Sequence, residues 1–427
     1  MQRLTIKDFS CIRSANLEIA PLTLIIGPQA SGKSVISKLI YFFTSIISDY
    51  DQTAIEDKLN LDALVKRVSN TFYEWFPPSA WGAKRFAIKF SLGRFEVEVK
   101  RIAKSDRIRM IFCDEFARFY TASHEQYATA LQKAETKTQK ELDLFEYEVQ
   151  WQLKSIATTN LRKWIGPTLI NSQLFIPAGR SFFTSIGRAL VAFEHSGILD
   201  PLTLQFGRRF SALRERQLRR FPNDQAGSLT NAIFSEILGG QLKNEAGKDY
   251  IETSDGRLIP FSALSSGQQE LLPLAVMIRS MLMTGPRARV AENISRRTIY
   301  IEEPEAHLFP RAQNRLVEIL AALVARRREN NLLLTTHSPY VLAKFNNLIK
   351  AGDIARPSKH GVDVDVAKVI PPASWLNSKS VNSYAIVDGI IVNIMDDSGL
   401  IAADYLDDVS GDIAKEFSQL LRIEVSR

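Results

Sequence analysis

Cysteine is nearly missing. Two residues in 427, Cys11 and Cys113, are too few and too far apart for a disulfide framework or a thiolate metal site. Such usage fits a reducing compartment, and the cytoplasm is the expected location. Long apolar runs are missing too. The longest, residues 271–278 and 319–325, fall far short of the roughly 20 residues that span a bilayer, so no membrane partner is expected. The opening Met1-Gln2-Arg3-Leu4-Thr5-Ile6-Lys7 has no secretory hydrophobic core. There is no internal repeat and no low-complexity segment. What remains is an ordinary globular composition, 45% hydrophobic and 24% charged, with material for two or three domains. A net charge of +7 permits an acidic partner, although an even coat of lysines gives the same number.

Hydrophobic periodicity divides the chain. Residues 3–9 and 15–19 alternate, and Leu22-Thr23-Leu24-Ile25-Ile26 is the continuous apolar run of a strand buried on both faces. Residues 33–47 repeat at helical spacing. Residues 85–92, 94–102 and 107–113 alternate again, and together they close an N-terminal lobe over 1–113. Residues 114–170 read as a helical insertion, with Leu142, Phe145, Val149, Leu153 and Ile156 as its apolar stripe. Residues 171–260 form a subdomain with a basic helix and a hairpin turning at Asp255-Gly256. A C-terminal lobe, 261–345, alternates helix and strand, and 346–427 is a β/α tail.

Three phrases carry chemistry. Gly27-Pro28-Gln29-Ala30-Ser31-Gly32-Lys33-Ser34 fits G-x-x-x-x-G-K-[ST] between a buried strand and an amphipathic helix. Glycines let phosphate oxygens reach backbone N–H groups, and the helix points its positive end at the anion. Lys33 reaches the β- and γ-phosphates, and the Ser34 hydroxyl coordinates Mg²⁺. Thr298-Ile299-Tyr300-Ile301-Glu302-Glu303-Pro304 is an apolar strand ending in two carboxylates. At a strand end the chain turns, so both can face one site: Glu302 for the Mg²⁺ shell, Glu303 as the base that polarises water. A pair of glutamates there can also simply cap a helix. Leu332-Leu333-Leu334-Thr335-Thr336-His337 is a second buried strand, ending in one of five histidines, placed to contact a γ-phosphate or merely to cap a turn. Finally, Leu264-Ser265-Ser266-Gly267-Gln268 opens a helix. Alone it is a common cap; beside a phosphate loop it is a second anion site, with Ser265 donating and Gly267 allowing close approach.

The order of these phrases resembles the ABC ATPase superfamily, and most of all its RecF/OLD branch. That branch includes stand-alone ATPase subunits of bacterial anti-phage systems, such as PtuA of Septu and AriA of PARIS. Ile301-Glu302-Glu303-Pro304-Glu305-Ala306-His307-Leu308-Phe309-Pro310 and Phe175-Ile176-Pro177-Ala178-Gly179-Arg180-Ser181 carry the resemblance, as does 384–401. It covers nearly the whole chain except about 52–170. It implies an α/β fold: an ABC-type P-loop head with a mixed sheet, a β-rich subdomain and a helical insertion. It implies that ATP with Mg²⁺ is hydrolysed between subunits of a homodimer or higher oligomer. Lys33 and Ser34 then hold phosphate and metal, and Glu303 is the catalytic glutamate. His337 is the switch histidine, and Ser265 and Gly267 touch ATP held by the opposing subunit. Glu302 stands where most relatives have aspartate. No glutamine fits the Q-loop, because Gln173 precedes a strand instead of ending one.

The gap of about 230 residues between Gly32 and Ser265 argues against a transporter subunit, whose motifs lie closer together. The competing readings are the ATPase of a defence complex acting with a separate effector such as a nuclease, and a RecF-like repair ATPase. Asp363 and Asp365 form a D-x-D best read as the polar face of an alternating strand, so no nuclease activity is expected of the chain itself. Arg208, Arg209, Arg214, Arg216, Arg219 and Arg220 could track nucleic-acid phosphates, line a solvated helix face or meet an acidic protein.

Overall fold

The structure, a computed structural model, describes residues 2–103, 105–135, 139–167, 169–186, 190, 193, 198–217, 228–245, 248–283, 296–325, 329–355, 362–402 and 415–419. The chain opens with β1 (Gln2–Phe9), β2 (Ile12–Ile19) and β3 (Leu22–Ile26), then α1 (Lys33–Ser48) and α2 (Leu61–Trp75). A meander β4 (Ala87–Leu92), β5 (Phe95–Arg101), β6 (Ile108–Phe112) precedes two long helices, α3 (Asp114–Glu135) and α4 (Gln139–Ile165). Next come β7 (Ile170–Ile176), α5 (Ser181–Ile186), α6 (Pro201–Gln217) and α7 (Ser228–Leu238). A small antiparallel sheet follows, β8 (Gln241–Glu245), β9 (Lys248–Glu252) and β10 (Leu258–Pro260). Then α8 (Ser266–Met283), β11 (Arg296–Glu302), α9 (Pro310–Ala325), β12 (Asn330–Thr336), α10 (Pro339–Ala355), α11 (Val362–Val369), β13 (Val381–Val387) and β14 (Ile390–Asn393) complete the described elements.

Eleven of the described strands join one mixed sheet, ordered β6-β5-β4-β1-β2-β14-β13-β3-β12-β11-β7. The half from β13 to β7 is parallel, and β6 through β2 is antiparallel. Period-two alternation sends the side chains to two cores. Leu24 and Ile26 of β3, Ile299 and Ile301 of β11, and Leu332 and Leu334 of β12 face α8, α9 and α10. Ile25, Tyr300 and Leu333 face α1 and the antiparallel strands. Each such aliphatic side chain, wholly buried, contributes about 1.5–3 kcal/mol. The fold is that of an ABC-type P-loop ATPase: α/β, with the phosphate-loop strand central and flanked by parallel neighbours.

The late strand β13 pairs in parallel with β3. Its turn into β14, at Asp388-Gly389 with both φ positive, presses on the start of β2: Gly389 O accepts from the N–H groups of Arg13 and Ser14. Arg13 Nε also donates to Asp388 O at 2.6 Å. Strand β13 therefore walls the phosphate loop, where a Cβ on Gly27 would stand 3.1 Å from Ile386 Cβ.

Two readings are corrected. Asp363 and Asp365 lie on a helix, α11, not on a strand; both are exposed, and Asp365 pairs with Lys368 at 2.7 Å. A lone exposed strand would leave its amides unpaired, whereas a helix closes its own hydrogen bonds. Among the described side chains of α4 the buried hydrophobic ones are Leu153, Ala157, Leu161 and Ile165, while Ile156 is 41% exposed. The contact with α3, through stacked Phe119 and Trp164, fixes that face. For Leu142, Phe145 and Val149 the side chains lie outside the described residues, as do Arg219 and Arg220.

Candidate active site

The site lies where parallel strands end, the edge at which open α/β sheets bind ligands. After β3 the chain curls through Ala30 (φ 60°) and Gly32 (φ 104°) into α1. The φ of Gly32 is one that side chains rarely adopt, which is why glycine stands there; a Cβ would also crowd Ile12 Cδ1 at 2.6 Å and Cys11 Sγ at 2.8 Å. The start of α1 has no side-chain cap, which leaves its first N–H groups to an anion. Ser31 Oγ is buried with no hydrogen-bond partner.

Lys33 is almost wholly buried. Its Nζ donates to Gly27 O at 2.9 Å and to Pro28 O at 2.8 Å, and it stands 3.4 Å from His337 Nδ1. Burial lowers its pKa; the carboxylates of Glu303, Glu305 and Glu302 work the other way. His337 Nε2 is 2.8 Å from Glu303 Oε1. An ammonium can only donate and a carboxylate can only accept, so these two contacts suit the tautomer with the proton on Nε2. Lys33, His337 and Glu303 thus form one chain of polar contacts across the ends of β3, β12 and β11.

Glu302 closes β11 and is buried, accepting from Ala178 N at 3.3 Å. Burial raises its pKa, against the Ser34 hydroxyl and the Ala178 amide. Glu303 is the turning point: φ is +43°, a left-handed conformation uncommon for glutamate. This break in the pleat puts successive carboxylates on one site. The Glu302 Oε1 atom is buried without a hydrogen-bond partner, beside the exposed Ser34. A hydroxyl and one carboxylate suit Mg²⁺, which takes few protein ligands and keeps water and phosphate oxygens for the rest. Among the described residues no cluster of three acidic, histidine or cysteine side chains could hold a metal alone.

Two further residues complete the site, and motif matching had not singled them out. Glu305 Oε1 accepts from Thr336 Oγ1 at 2.6 Å and from His337 N at 2.8 Å, and so holds the histidine's strand end. Arg180 is wholly buried between β7, β11 and α8. The only sign of either in the sequence is membership of a quoted phrase, because burial of a charge is a tertiary fact.

The signature lies apart. Ser265 is exposed, and its Oγ and N–H both donate to Gln268 Oε1 at 3.0 Å, a capping arrangement inside its own loop. Gly267 packs on the turn after β11, where a Cβ would stand 2.7 Å from His307 O. The fold itself therefore requires glycine there, a reason that close approach to a ligand does not supply.

The family described as "AAA domain, putative AbiEii toxin, Type IV TA system" matches residues 22–343, from the strand before the phosphate loop to the helix after His337. The chain belongs to this family. Membership makes the chain a P-loop ATPase of this family. No curated protein matches the chain. A solved structure, the SMC head domain from Thermotoga maritima, aligns over 92% of this chain and 97% of its own at 13% identity. The TM-score is 0.36, too distant a likeness to bear on the site.

In this AAA-domain protein Gln173 lies within β7, not before it. Its amide bonds Tyr41 O and Ser48 Oγ, and Tyr300 Oη donates to it, so it ties α1 to the sheet. Of the basic stretch, Arg208 and Arg209 are exposed on α6. Arg214 is committed within the chain, to Asp249 at 2.6 Å and over the Phe261 ring at 5.0 Å. The Arg216 side chain lies outside the described residues. No described helix is long and apolar enough to cross a membrane.

Proposed function

We propose that the chain binds MgATP at Gly27–Ser34 and hydrolyses it at sites completed by a second copy of itself. The observation that carries this reading is the Lys33–His337–Glu303 contact chain, with Glu302 and Ser34 alongside. Bound ATP draws the Lys33 ammonium from the carbonyls of Gly27 and Pro28 to the β- and γ-phosphates. Ser34 and Glu302 would hold Mg²⁺, which supplies charge neutralisation to the transferred phosphoryl group. Glu303, held by His337 Nε2–H, takes the proton of the attacking water, and His337 stands between that base and the lysine that meets the γ-phosphate. Ser265 and the start of α8 meet the phosphates from the opposing subunit.

The resemblance to the RecF/OLD branch, together with a family described by a toxin and a Type IV TA system, supports a defence role. In that role the ATPase is the sensor and scaffold of an anti-phage complex, and a separate effector such as a nuclease does the damage. Arg208 and Arg209 offer an acidic partner or nucleic acid a contact on α6. The deciding experiment measures ATP turnover per chain against protein concentration. A rise to a plateau supports shared sites; a rate independent of concentration in monomers sinks them.

A further inference from the structure

Arg180 joins two parts of the site that serve different nucleotides. Its five N–H groups all go to backbone carbonyls. Nε donates to Glu270 O (3.0 Å) on α8. One terminal nitrogen donates to Pro177 O (3.0 Å) and Glu302 O (2.8 Å), the other to Glu303 O (3.0 Å) and Pro304 O (3.4 Å). The guanidinium is 0% exposed, and its counter-charge is Glu270, with Oε2 3.6 Å from Nε. Glu270 is fixed in turn by Ser181 N, which donates to its Oε1 at 3.2 Å. Glu270 sits one turn into α8, whose N-terminus is the signature. Glu302, Glu303 and Pro304 form the turn that holds Glu303 at φ +43°. The same turn meets the signature a second time, where Gly267 packs on His307 O.

From this geometry we infer that Arg180 is a positioning residue that couples signature occupancy to the placement of Glu303. The inference rests on the shared-site reading above. Within one chain the signature touches the partner's ATP, while Glu303 acts on the chain's own. A shift of α8 on meeting the partner's nucleotide moves Glu270 O, and the rigid planar guanidinium carries that displacement to the carbonyls of Glu302 and Glu303. Each site then senses the other, and hydrolysis is cooperative in ATP. Arginine suits this link because its donors lie in one fixed fork; lysine has the charge and only three mobile donors.

The test uses the full chain with ATP and Mg²⁺. In Arg180→Lys, ATP affinity by calorimetry and ATP-driven association by sedimentation should stay near wild type. Turnover per bound ATP should fall about 100-fold, the effect of a slightly misplaced catalytic group. The sigmoidal dependence of wild-type rate on ATP should become hyperbolic. Glu270→Gln, which keeps the Ser181 bond and removes the counter-charge, should lose about tenfold in the same direction, within the usual range of coupling between sites. It decides the matter if the lysine variant does not fold. An arginine that only supported the fold would lower the fraction of chains that bind ATP, leaving turnover per bound ATP and the curve's shape unchanged; that result overturns the inference. So does a hyperbolic wild-type curve in a chain that associates with ATP, and there the shared-site reading survives. If wild type neither associates nor shows concentration dependence, the shared-site reading falls and takes this coupling with it.

Discussion

The chain carries two helix N-termini opened by glycine and serine, and they are unlike. At the phosphate loop, α1 is preceded by a tight turn, with a buried lysine inside and two carboxylates and a histidine opposite. At the signature, α8 begins with an exposed serine bonded to its own Gln268. Both ends supply amides and a dipole to an anion. Only the first is surrounded by groups that can neutralise a polyphosphate and move a proton. A helix end is thus half a site, and the walls around it decide what it does.

Breaking the first end should have the largest effect. Lys33→Ala removes the cation at the β- and γ-phosphates, and heat of ATP binding should vanish in calorimetry. Near-normal affinity would mean that the loop is not the nucleotide site. Next in size, Glu303→Gln should bind ATP yet turn over about 10²–10⁴-fold more slowly, the usual worth of a general base. Turnover within a few-fold of wild type would shift the role to another group.

The second end can be broken without disturbing the first. Gly267 is a poor place to do so, since a side chain would strike His307 O within the same chain. Ser265 is exposed, so Ser265→Arg should fold and fail to hydrolyse ATP. Mixed with Lys33→Ala, it should regain activity, because one interface then unites an intact loop with an intact signature. Absence of rescue in proven mixed assemblies would count against shared sites. A smaller effect concerns pH. Burial raises the Glu302 pKa, so its carboxylate, the form that would hold Mg²⁺, is lost as pH falls, and at a higher pH than for an ordinary glutamate. Mg²⁺-dependent ATP affinity should fall on that acid limb, and Glu302→Gln should flatten it. The smallest effect expected is on stability, from Ser265→Ala, which removes the helix cap together with the hydroxyl offered to the partner's ATP. It should cost about 1 kcal/mol, visible as a modest drop in melting temperature.

By itself the sequence determined the parts whose signal is local. A glycine loop between a buried strand and an amphipathic helix, and apolar strands ending at Glu303 and His337, are read from spacing because strand and helix periods are local geometry. The meander β4–β6 was legible for the same reason. Only the tertiary structure decided what depends on residues far apart. It set β13 beside β3, and it laid the Val-Asp alternation of α11 against α10 as a helix with Val366 turned to the core. It withdrew Arg214 from the basic face by pairing it with Asp249. It also buried Arg180, 122 residues before Glu302, against that residue's carbonyl. Burial and charge pairing are properties of a place in the fold, and no window along the chain contains them.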